Sequence, residues 1–569
     1  MNYRIVKADN HWFRENINCQ FACPVNTPAM SYIERITEGD FDSALHLNFM
    51  ANLFPHILGR VCTHPCETAC RRGAIDKPIA ICALKRSAAE FASKKSPPKP
   101  MNRDKTGKRV AIIGSGPSGL AAANDLVFKG HDVVMYEALP VAGGMLTVGI
   151  PPYRLPRSKI RDAVNQIVAL GVEIMLNSPI DTPDTFEELL KKYDAVYIAT
   201  GAHKSMSLDI PGETLAGVMH GVAFMKDTNL GKVKTVPERV VVIGGGFTAI
   251  DCARTSLRLG AKEVSIVYRR TLEEMPAGEI EVQMAEEEGI KVHYLTSTAR
   301  IIGSPAGETT HIECIKNRLG DADEKGRRRP IPVEGSNFTI PAEMVIAAIG
   351  QSPDVTFLSE KFGIEINARG IPVVNQENYM TARKGVFAGG DCITGPRNVI
   401  EVIADGRKAA RSIHQFFTGS AGKEYTFYYK EQSPSKRMPD YEATPRQKQG
   451  VIAPEERWDL DAETETGLSK DHALNEAGRC LLCHFNIFID EQCILCGGCV
   501  DICPYNCISM VSRENVKIAE NFADGDASPH DWDAAMVINE EKCIRCGLCV
   551  KRCPVNAITM RRFAYSANE

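Results

Sequence analysis

The sequence lacks a long hydrophobic run, a strong charge of one sign and an apolar leader. No run approaches the ~20 apolar residues of a membrane-spanning helix, and residues 1–18 are polar, so no secretory signal is predicted. With 67 basic and 71 acidic residues the net charge is −4, which excludes a global field that would recruit nucleic acid or an anionic membrane. A cytoplasmic location is expected.

The 20 cysteines fall mostly in short, repeated spacings. In a reducing compartment such spacings indicate metal ligands rather than disulfides. A chain of 569 residues suggests about four domains, and a hydrophobic content of 44% is ample for several packed cores. Iron–sulfur clusters or zinc sites are therefore expected within a multidomain protein.

A Gly-rich turn near residue 114 is predicted to bind a dinucleotide. An apolar strand leads into Gly114-x-Gly116-x-x-Gly119, and a helix and a second strand ending at Glu137 follow it. In such a unit the glycines permit a tight turn, approach of a pyrophosphate and close helix packing, and the acid accepts from a ribose hydroxyl. The alternative, a Gly-rich surface turn, does not account for this order of elements.

A second Gly-rich turn follows a second apolar strand, at residues 239–249. The strand after its helix ends in two arginines instead of a carboxylate, and adjacent guanidiniums suit the 2′-phosphate of NADP. The alternative for the arginine pair is a solvated strand end. The turn consists of Gly244, Gly246 and Ala249, and the arginine pair is Arg269 and Arg270.

The most specific cysteine pattern lies near the C-terminus. Cys-x2-Cys-x2-Cys-x3-Cys-Pro occurs at residues 493–504 and again at 543–554. This is the two-cluster bacterial ferredoxin pattern, in which the fourth cysteine of each run ligates the other cluster. One [4Fe–4S] cluster is predicted on Cys493, Cys496, Cys499 and Cys553, and a second on Cys543, Cys546, Cys549 and Cys503. The extra Cys507 is expected to be a packed thiol.

A further cysteine group lies within residues 1–105, at Cys19, Cys23, Cys62, Cys66, Cys70 and Cys82. Gaps of three residues place successive sulfurs about one helical turn apart, which suits clusters better than zinc knuckles. Thiols packed in a helical core are the alternative. Apolar spacing predicts helices at 31–50, broken at Gly39-Asp40, and at 79–92.

The interrupted arrangement of the two nucleotide units resembles the two-dinucleotide-domain flavoproteins. The match is specific at Gly-Ile-Pro-Pro-Tyr-Arg-Leu-Pro (149–156), Gly-Gly-Gly-Phe-Thr-Ala-Ile-Asp-Cys-Ala-Arg-Thr (244–255) and Glu-Met-Pro-Ala (274–277). Over residues 15–415 the chain looks like the small subunit of NADPH-dependent glutamate synthase. Relatives are the large flavin subunit of ferredoxin:NADP transhydrogenase and the electron-input half of dihydropyrimidine dehydrogenase.

The resemblance implies an α/β protein with two glutathione-reductase-like dinucleotide-binding domains, an α-helical iron–sulfur domain and a C-terminal α+β ferredoxin domain. FAD is expected on Gly114, Gly116, Gly119, Glu137, Gly144 and Asp391. One departure is Phe247, where these relatives usually have Asn in the second turn. The expected bounds are 1–105 for the helical domain, 106–235 and 342–415 for FAD, 236–341 for NAD(P), 416–475 for a linker and 476–569 for the ferredoxin domain.

The resemblance also implies two clusters in the N-terminal domain, which in the family opens with Glu-Ala-x-Arg-Cys-Leu-x-Cys. Here that element lies at residues 476–483, after the predicted linker. We hypothesise that Cys480 and Cys483 complete a cluster with Cys19 and Cys70, and that Cys23, Cys62, Cys66 and Cys82 hold another, which gives four clusters. The rival hypothesis is one N-terminal cluster, with the Cys480-x2-Cys483 pair left over or forming half of a zinc site.

These elements together predict an electron-transfer function. A nicotinamide gives up two electrons as hydride, clusters carry one each, and a flavin handles both, so FAD is expected between NADPH or NADH and the clusters. The nucleotide units contain no close cysteine pair like that of disulfide reductases. The prediction is an NAD(P)H:acceptor oxidoreductase, and no catalytic side chain is required.

A protein partner is expected to supply the second half-reaction, because no domain remains for an organic substrate. By resemblance the candidates are a ferredoxin, a 2-oxoacid or aromatic-acyl-CoA reductase, or a siroheme sulfite reductase, and the last is favoured. The chain is thus expected to belong to a hetero-oligomer. Two alternatives are a subunit of an electron-bifurcating transhydrogenase and a non-catalytic electron-wiring subunit.

Overall fold

The computed structural model describes residues 3–5, 10–94, 104–322, 326–420, 425–431, 443–518 and 533–567. The chain divides into two compact units. The smaller unit contains Met1–Pro98, Ala421–Gln449 and Gly467–Glu569, and the larger contains Lys99–Ser420 and Gly450–Thr466. The Lys, Pro and Ser content of residues 94–107 predicts a linker there, and this stretch falls largely outside the described residues. Across the described ranges, no helix combines the length and apolar character needed to cross a membrane.

The larger unit contains a first parallel sheet whose central strand is the apolar run before Gly114. Parallel strands are covered on both faces, which explains why Val110–Ile113 is buried throughout. The strand order is Val386–Ala388, Ala195–Ile198, Arg109–Ile113, Asp132–Tyr136 and Glu173–Met175. Strands that come later in the chain lie on both sides of Arg109–Ile113, so the direction of the strand order reverses at this strand. Parallel sheets bind ligands at the carboxyl ends of the strands where the order reverses.

A second parallel sheet has Arg239–Ile243 at its centre. Its order is Lys291–His293, Glu263–Val267, Arg239–Ile243, Met344–Ala347 and Val218–His220. The predicted bounds assigned the last two strands to the FAD domain, and in the structure they extend this second sheet, with Val345 paired to Val241 and Val218. A short, fully buried apolar strand carries no periodicity that identifies the sheet it joins, so the sequence could not place Met344–Ala347.

Helices, a four-stranded antiparallel sheet and a short antiparallel pair, Lys204–Ser205 with Gln351–Ser352, also belong to the larger unit. Helices Pro117–Phe128 and Val399–Thr418 approach closely at Gly406. Any larger residue there would clash, because a Cβ would lie 2.1 Å from the Ser118 carbonyl oxygen. The antiparallel sheet is formed by Thr296–Gly303, Thr309–Ala322, Arg328–Pro332 and Phe338–Pro341. The α-helices are Pro117–Phe128, Met145–Val148, Arg157–Val168, Pro183–Lys192, Gly221–Asn229, Phe247–Arg258, Glu279–Glu287, Asp391–Thr394 and Val399–Thr418.

The smaller unit combines a helical part with a ferredoxin-like part. The helix break predicted at Gly39-Asp40 is confirmed, since Gly39 has φ +76° and Asp40 caps the next helix by accepting from Ser43 N at 3.0 Å. Its α-helices are Asn10–Asn16, Asn18–Phe21, Ala29–Thr37, Phe41–Asn52, Pro55–Val61, Pro65–Thr68, Ile81–Phe91, Lys470–Gly478, Gly498–Asp501 and Leu548–Arg552.

The strands of the smaller unit pair mainly in its C-terminal part. Ile508–Ser512 pairs with Ala534–Ile538, and Ile558–Ala567 pairs with both Phe485–Ile489 and Tyr425–Glu431, all antiparallel. Tyr3–Ile5 pairs in parallel with Val516–Ile518. Residues 425–431 were predicted to be linker, but their run of Tyr, Thr and Phe has high strand propensity and forms an edge strand.

Other described parts of the predicted 416–475 linker are also ordered rather than a loose tether. In the smaller unit, Arg446 pairs with Glu67 at 2.6 Å. In the larger unit, the buried Arg457 lies 3.7 Å from Glu288 and donates to the Ile452 carbonyl. Buried arginines need charged or carbonyl partners, and polar composition alone does not reveal which arginines have them.

A histidine pair, the buried His131 and the half-buried His414, joins the segment after Pro117–Phe128 to Val399–Thr418 in the larger unit. His131 Nδ1 lies 2.7 Å from Thr106 Oγ1, and its Nε2 lies 3.0 Å from His414 Nδ1. Burial, together with the nearby His414, lowers the pKa of His131 to about 4. The folded larger unit therefore favours the neutral form of His131.

We expect this lowered pKa to make the fold sensitive to acid. The unfolded chain binds a proton near pH 6.5 and the folded chain only near pH 4, so stability falls as the pH drops below about 6.5. The free energy of unfolding, measured with denaturant, should fall by on the order of 1 kcal/mol from pH 7 to pH 5, and His131→Asn should reduce this fall. The exposed His311→Asn serves as control. An equal loss in the His131 variant would contradict this assignment.

Candidate nucleotide and iron–sulfur sites

The first Gly-rich turn leaves open space at the N-terminus of Pro117–Phe128. Gly114 has φ +101°, and a Cβ there would lie 2.5 Å from the Ala199 carbonyl oxygen. At Gly116, by contrast, the nearest atom to a Cβ is 3.9 Å away, on Gly144. The tight turn thus requires glycine at 114, whereas the space at 116 suits an anion at a helix N-terminus.

Glu137 lies beside this turn, where the prediction placed a ribose acceptor. Its Oε2 accepts from Ser115 N at 2.9 Å and Ser115 Oγ at 2.5 Å, and its Oε1 accepts from Leu139 N at 2.9 Å. These bonds hold the buried carboxylate in one orientation. Each carboxylate oxygen can accept further hydrogen bonds, so Glu137 retains capacity for a ribose hydroxyl.

Asp391 begins a short helix after Val386–Ala388 and receives a hydrogen bond from Arg397 N at 2.9 Å. Burial raises the pKa of Asp391 to about 7. The neighbouring Asp405 is buried, pairs with Arg397 and accepts from Tyr379 Oη at 2.9 Å. Asp405 was not predicted, because an acid within an amphipathic helix gives no distinguishing pattern.

The second Gly-rich turn repeats the geometry of the first. A Cβ on Gly244, with φ +146°, would lie 2.3 Å from the Ala348 carbonyl oxygen, whereas one on Gly246 would meet nothing within 4 Å. Ala249 is fully buried where the helix packs on its strand. Arg269 and Arg270 follow the end of Glu263–Val267, and Arg270 Nε donates to the Arg328 carbonyl at 2.8 Å.

Phe247 opens the helix of the second turn and is 39% exposed. The Arg154 guanidinium carbon lies 5.5 Å from the centre of its ring, and Arg154 also pairs with Asp251 and Glu281. Phe247 is thus held at the surface of the turn by a cation–π contact. Arg154 of the Gly-Ile-Pro-Pro-Tyr-Arg-Leu-Pro motif and Asp251 of the second-turn motif are thus linked by an ion pair.

Four cysteines from both ends of the chain line one cavity in the smaller unit: Cys19, Cys70, Cys480 and Cys483. Burial and the charges of Cys483, Cys480 and Cys70 raise the pKa of Cys19 well above its usual value. Within the described part of the chain, no three metal-binding side chains converge as around a single ion. Four cysteines lining one cavity match the number of ligands of a [4Fe–4S] cluster.

A buried ionic network holds the Cys480–Cys483 segment at this cavity. Glu476 Oε1 accepts from Ala80 N at 2.8 Å, and Arg479 Nη2 lies 2.8 Å from Asp76 Oδ2. Arg72 Nη1 in turn donates to the Arg479 carbonyl at 3.1 Å. Glu476 and Arg479 are the Glu and Arg of the Glu-Ala-x-Arg-Cys element, so that element contains its own attachment to residues 71–80.

A second thiol set, Cys23, Cys62, Cys66 and Cys82, surrounds the side chain of Lys85. Burial raises the pKa of Cys66 to about 12, with further increases from Cys62 and Cys23. Lys85 is only 3% exposed, and although burial works to lower its pKa, electrostatic interactions with the four cysteines outweigh burial and raise it. Such a site suits a negatively charged group. No local sequence pattern distinguishes this lysine, since it lies within the ordinary helix Ile81–Phe91.

The ferredoxin-like part has a cavity lined by Cys503, Cys543, Cys546 and Cys549, the set predicted for the second ferredoxin cluster. Burial raises the pKa of Cys549 to about 12, whereas a hydrogen bond from Cys507 and the charge of Arg545 lower that of Cys543 to about 6. In the other set, Cys493 and Cys496 lie close enough to Cys499 to raise its pKa, although burial is the larger cause.

The Cys480 loop shares a backbone conformation with the two ferredoxin loops. In each Cys-x-x-Cys element the residue before the second cysteine has a positive φ, 49° at Leu482, 54° at Leu495 and 56° at Arg545. Non-glycine residues rarely adopt this region, so its recurrence at three equivalent positions is informative. Leu482 N also points to Cys480 Sγ at 3.5 Å, as backbone donors do at metal-bound sulfur.

Two parallel nucleotide-binding sheets together with ferredoxin-type cysteine loops define an iron–sulfur flavoprotein oxidoreductase. The family model for pyridine nucleotide-disulphide oxidoreductases matches residues 108–407, and the chain belongs to this family. The model for the 4Fe-4S cluster domain II of dihydropyrimidine dehydrogenase matches residues 8–97, and a 4Fe-4S dicluster domain matches 492–557. The predicted fold class and the predicted cofactors, FAD, NAD(P)H and several [4Fe–4S] clusters, are confirmed.

Several characterised proteins are similar to this chain. The NADP(+)-dependent formate dehydrogenase subunit beta of Moorella thermoacetica is 39% identical over 82% of this chain and 70% of its own. The NADPH-Fe(3+) oxidoreductase subunit beta of Geobacter sulfurreducens is 36% identical over 82% and 75%. The glutamate synthase [NADPH] small chain of Escherichia coli is 33% identical over 72% and 90%. The solved structure of Mycobacterium tuberculosis FprA with NADPH has a TM-score of 0.46 and 22% identity, covering 56% of this chain and 85% of FprA.

The two Gly-rich turns can be tested against each other. Gly116→Ala and Gly246→Ala both have room for the added Cβ and ordinary extended φ values, so neither should disturb the fold. We expect Gly116→Ala to lose bound flavin, because the methyl group occupies the space for the pyrophosphate. Gly246→Ala should keep flavin but be reduced by NADPH at least about tenfold less efficiently, a loss of ~1.4 kcal/mol.

Flavin absorbance per chain and the rate of flavin bleaching separate the two outcomes. A Gly116→Ala protein with full flavin content, or a Gly246→Ala protein that is reduced normally, would contradict the assignment of the corresponding turn.

Proposed function

We propose that the chain takes electrons from NADPH at the second Gly-rich turn, passes them to FAD at the first, and delivers them to a partner protein through four [4Fe–4S] clusters. The observation that carries this proposal is the cavity lined by Cys19, Cys70, Cys480 and Cys483. It joins the helical iron–sulfur part to the ferredoxin part within one unit, as a continuous relay requires.

The proposed nucleotide ligands follow from the two turns. The proposed ligands of FAD are Gly114, Gly116, Gly119, Glu137, Gly144 and Asp391, and those of NADPH are Gly244, Gly246, Ala249, Arg269 and Arg270. Bound FAD supplies the conversion between two-electron and one-electron transfer. The glycines admit phosphate, the two carboxylates accept from hydroxyl groups, and the arginines neutralise the 2′-phosphate.

The proposed cluster ligands fall into four sets of four. In the helical part they are Cys19, Cys70, Cys480 and Cys483, and Cys23, Cys62, Cys66 and Cys82. In the ferredoxin part they are Cys493, Cys496, Cys499 and Cys553, and Cys503, Cys543, Cys546 and Cys549. Buried thiols with raised pKa values lose protons when they bind iron, and the iron charge compensates the cost of burying thiolates.

A direct contact connects the first helical set to the second ferredoxin set. Leu481 and Ile544 form a small buried core, against which both Cys483 and Cys546 pack. Arg71, next to Cys70, donates to the carbonyl oxygens of Glu540 at 2.5 Å and Glu541 at 2.6 Å. We infer that electrons cross between the helical and ferredoxin parts at this contact.

The exit of the relay is proposed at Cys496. Cys496 is the exposed member of the first ferredoxin set, and Ile494, two residues before it, is 60% exposed. An apolar side chain beside an exposed ligand suits contact with a protein surface. The partner is therefore expected to bind here in a hetero-oligomer, as the subunit names of the formate dehydrogenase and Fe(3+) oxidoreductase relatives suggest. A siroheme sulfite reductase as that partner stays a prediction.

Cofactor preference tests the proposed role of the arginine pair. Replacing Arg269 and Arg270 together with Ala should raise the KM for NADPH at least about tenfold, since each charged hydrogen bond to phosphate contributes ~1.5–3 kcal/mol. The KM for NADH should change little, because NADH lacks the 2′-phosphate. Lys262→Ala, an exposed cation at the start of the same strand, is the control. Equal losses with both nucleotides would contradict a phosphate-binding role.

The relay is tested by anaerobic rapid mixing of the full chain with NADPH, following flavin and cluster absorbance together. The wild-type protein should contain about 16 iron atoms and show flavin bleaching followed by cluster bleaching. The double variant Cys480→Ser/Cys483→Ser should contain about 12 and bleach flavin at the normal rate, while its ferredoxin clusters stay oxidised over the same interval. Cys314→Ala, an isolated buried thiol in the larger unit, is the control.

Two results would overturn the proposal. Normal cluster reduction in the double variant would remove these two cysteines from the relay. A wild-type protein that binds flavin but is bleached by neither NADPH nor NADH would favour the electron-wiring alternative.

A further inference from the structure

Three cysteines of the proposed cluster sets lie in loops of one conformation. Each loop has the sequence Cys-Pro-x-Asn, beginning at Cys23, Cys503 and Cys553. The asparagine has a positive φ in all three, 52° at Asn26, 47° at Asn506 and 55° at Asn556. Since the sequence and the asparagine conformation recur, the residue after each asparagine should lie at an equivalent place relative to the first sulfur.

That next residue differs among the three loops: it is Thr27, Cys507 or Ala557. Thr27 Oγ1 lies 3.3 Å from Cys23 Sγ, and Cys507 Sγ lies 3.2 Å from Cys503 Sγ. Both side chains are buried, at 3% and 5% exposure, and Ala557 is fully buried with no polar side-chain atom. Two of the three loops therefore place a hydrogen-bonding group against the ligand sulfur, and the third does not.

Cys507 and Ala557 are equivalent positions of the two ferredoxin repeats. The carbonyl of Cys507 accepts from Asn539 N at 2.7 Å, and the carbonyl of Ala557 accepts from Asp490 N at 2.9 Å. Since the repeat carrying Ala557 provides a full set of four cysteines, a fifth is not needed for ligation. Cys507 is buried, as predicted for a packed thiol, but the prediction did not include its contact with the Cys503 sulfur.

Those neighbours are ligands of one proposed cluster. Cys507 lines the same cavity as Cys503, Cys543, Cys546 and Cys549, and its backbone N–H also points to Cys503 Sγ at 3.4 Å. When Cys503 and Cys543 are bound to iron their sulfurs are thiolates and only accept, so the Cys507 S–H is the donor to these two sulfurs, which belong to the same proposed cluster. By the same reasoning the Thr27 hydroxyl donates to an iron-bound Cys23.

We propose that the residue four positions after each Cys-Pro cysteine sets the reduction potential of the adjacent cluster, because Cys507 and Thr27 donate a hydrogen bond to a ligating sulfur and Ala557 cannot. This inference rests on the proposed cluster ligands. Adding an electron makes the sulfurs more negative, so a donor stabilises the reduced cluster more than the oxidised one and raises its potential. The cluster of Cys503 is thus easier to reduce than that of Cys553.

The test is an anaerobic redox titration of the full chain, monitored by electron paramagnetic resonance. Cys507→Ala should shift one cluster signal to a more negative midpoint potential, and Cys507→Ser, which keeps a donor, should restore most of the shift. The reciprocal Ala557→Ser adds a donor and should move a different signal to a more positive potential. Thr27→Val should lower the potential of a third.

Iron content separates failure of this inference from failure of the proposed function. Wild-type protein without ferredoxin-type signals would overturn the ligand assignments themselves. Variants that keep full iron content but leave every midpoint potential unchanged would overturn only the role of this position. If Cys507→Ala does not fold, Ala557→Ser removes no contact and still decides: an unmoved potential in that variant counts against the proposal.

Discussion

The smaller unit must offset the free-energy cost of burying ionised cysteine sulfurs. Thiols such as Cys66 and Cys19 have raised pKa values because burial and neighbouring thiols both disfavour their ionised forms. Iron removes this cost by replacing protons with positive charge. Lys85 at one thiol set and backbone N–H groups at Cys480 and Cys503 act in the same direction. These groups make the sites suitable for anionic clusters rather than for a neutral packed core.

The larger unit meets a different requirement, a tight turn that leaves open space at a helix N-terminus, and it meets this requirement twice. Gly114 and Gly244 solve it in the same way, through tight turns against the carbonyls of Ala199 and Ala348. The turns differ in the side chains around them. The first has a rigidly held Glu137, and the second has two arginines and an exposed Phe247 under Arg154. The repeated scaffold is consistent with binding of two different dinucleotides.

The sequence was most informative where chemistry requires a residue type at a fixed spacing. The strands Arg109–Ile113 and Asp132–Tyr136, both Gly-rich turns and the two ferredoxin repeats were predictable for this reason. Met344–Ala347 was assigned to the other sheet, because a buried strand does not specify its neighbours. Lys85, Asp405 and the contacts of Cys507 were not predictable, since their importance comes from three-dimensional proximity that no local pattern records.

The attachment of Glu476 and Arg479 to residues 71–80 also constrains how the protein can be made. With the proposed ligands, the cavity of Cys19 and Cys70 lacks half of its sulfurs until residue 483 has been synthesised. Iron insertion at that cavity must then follow translation of almost the whole chain. Separate expression of the two halves would leave each with an incomplete site, so the distant ends of the sequence form one assembly unit for metal loading.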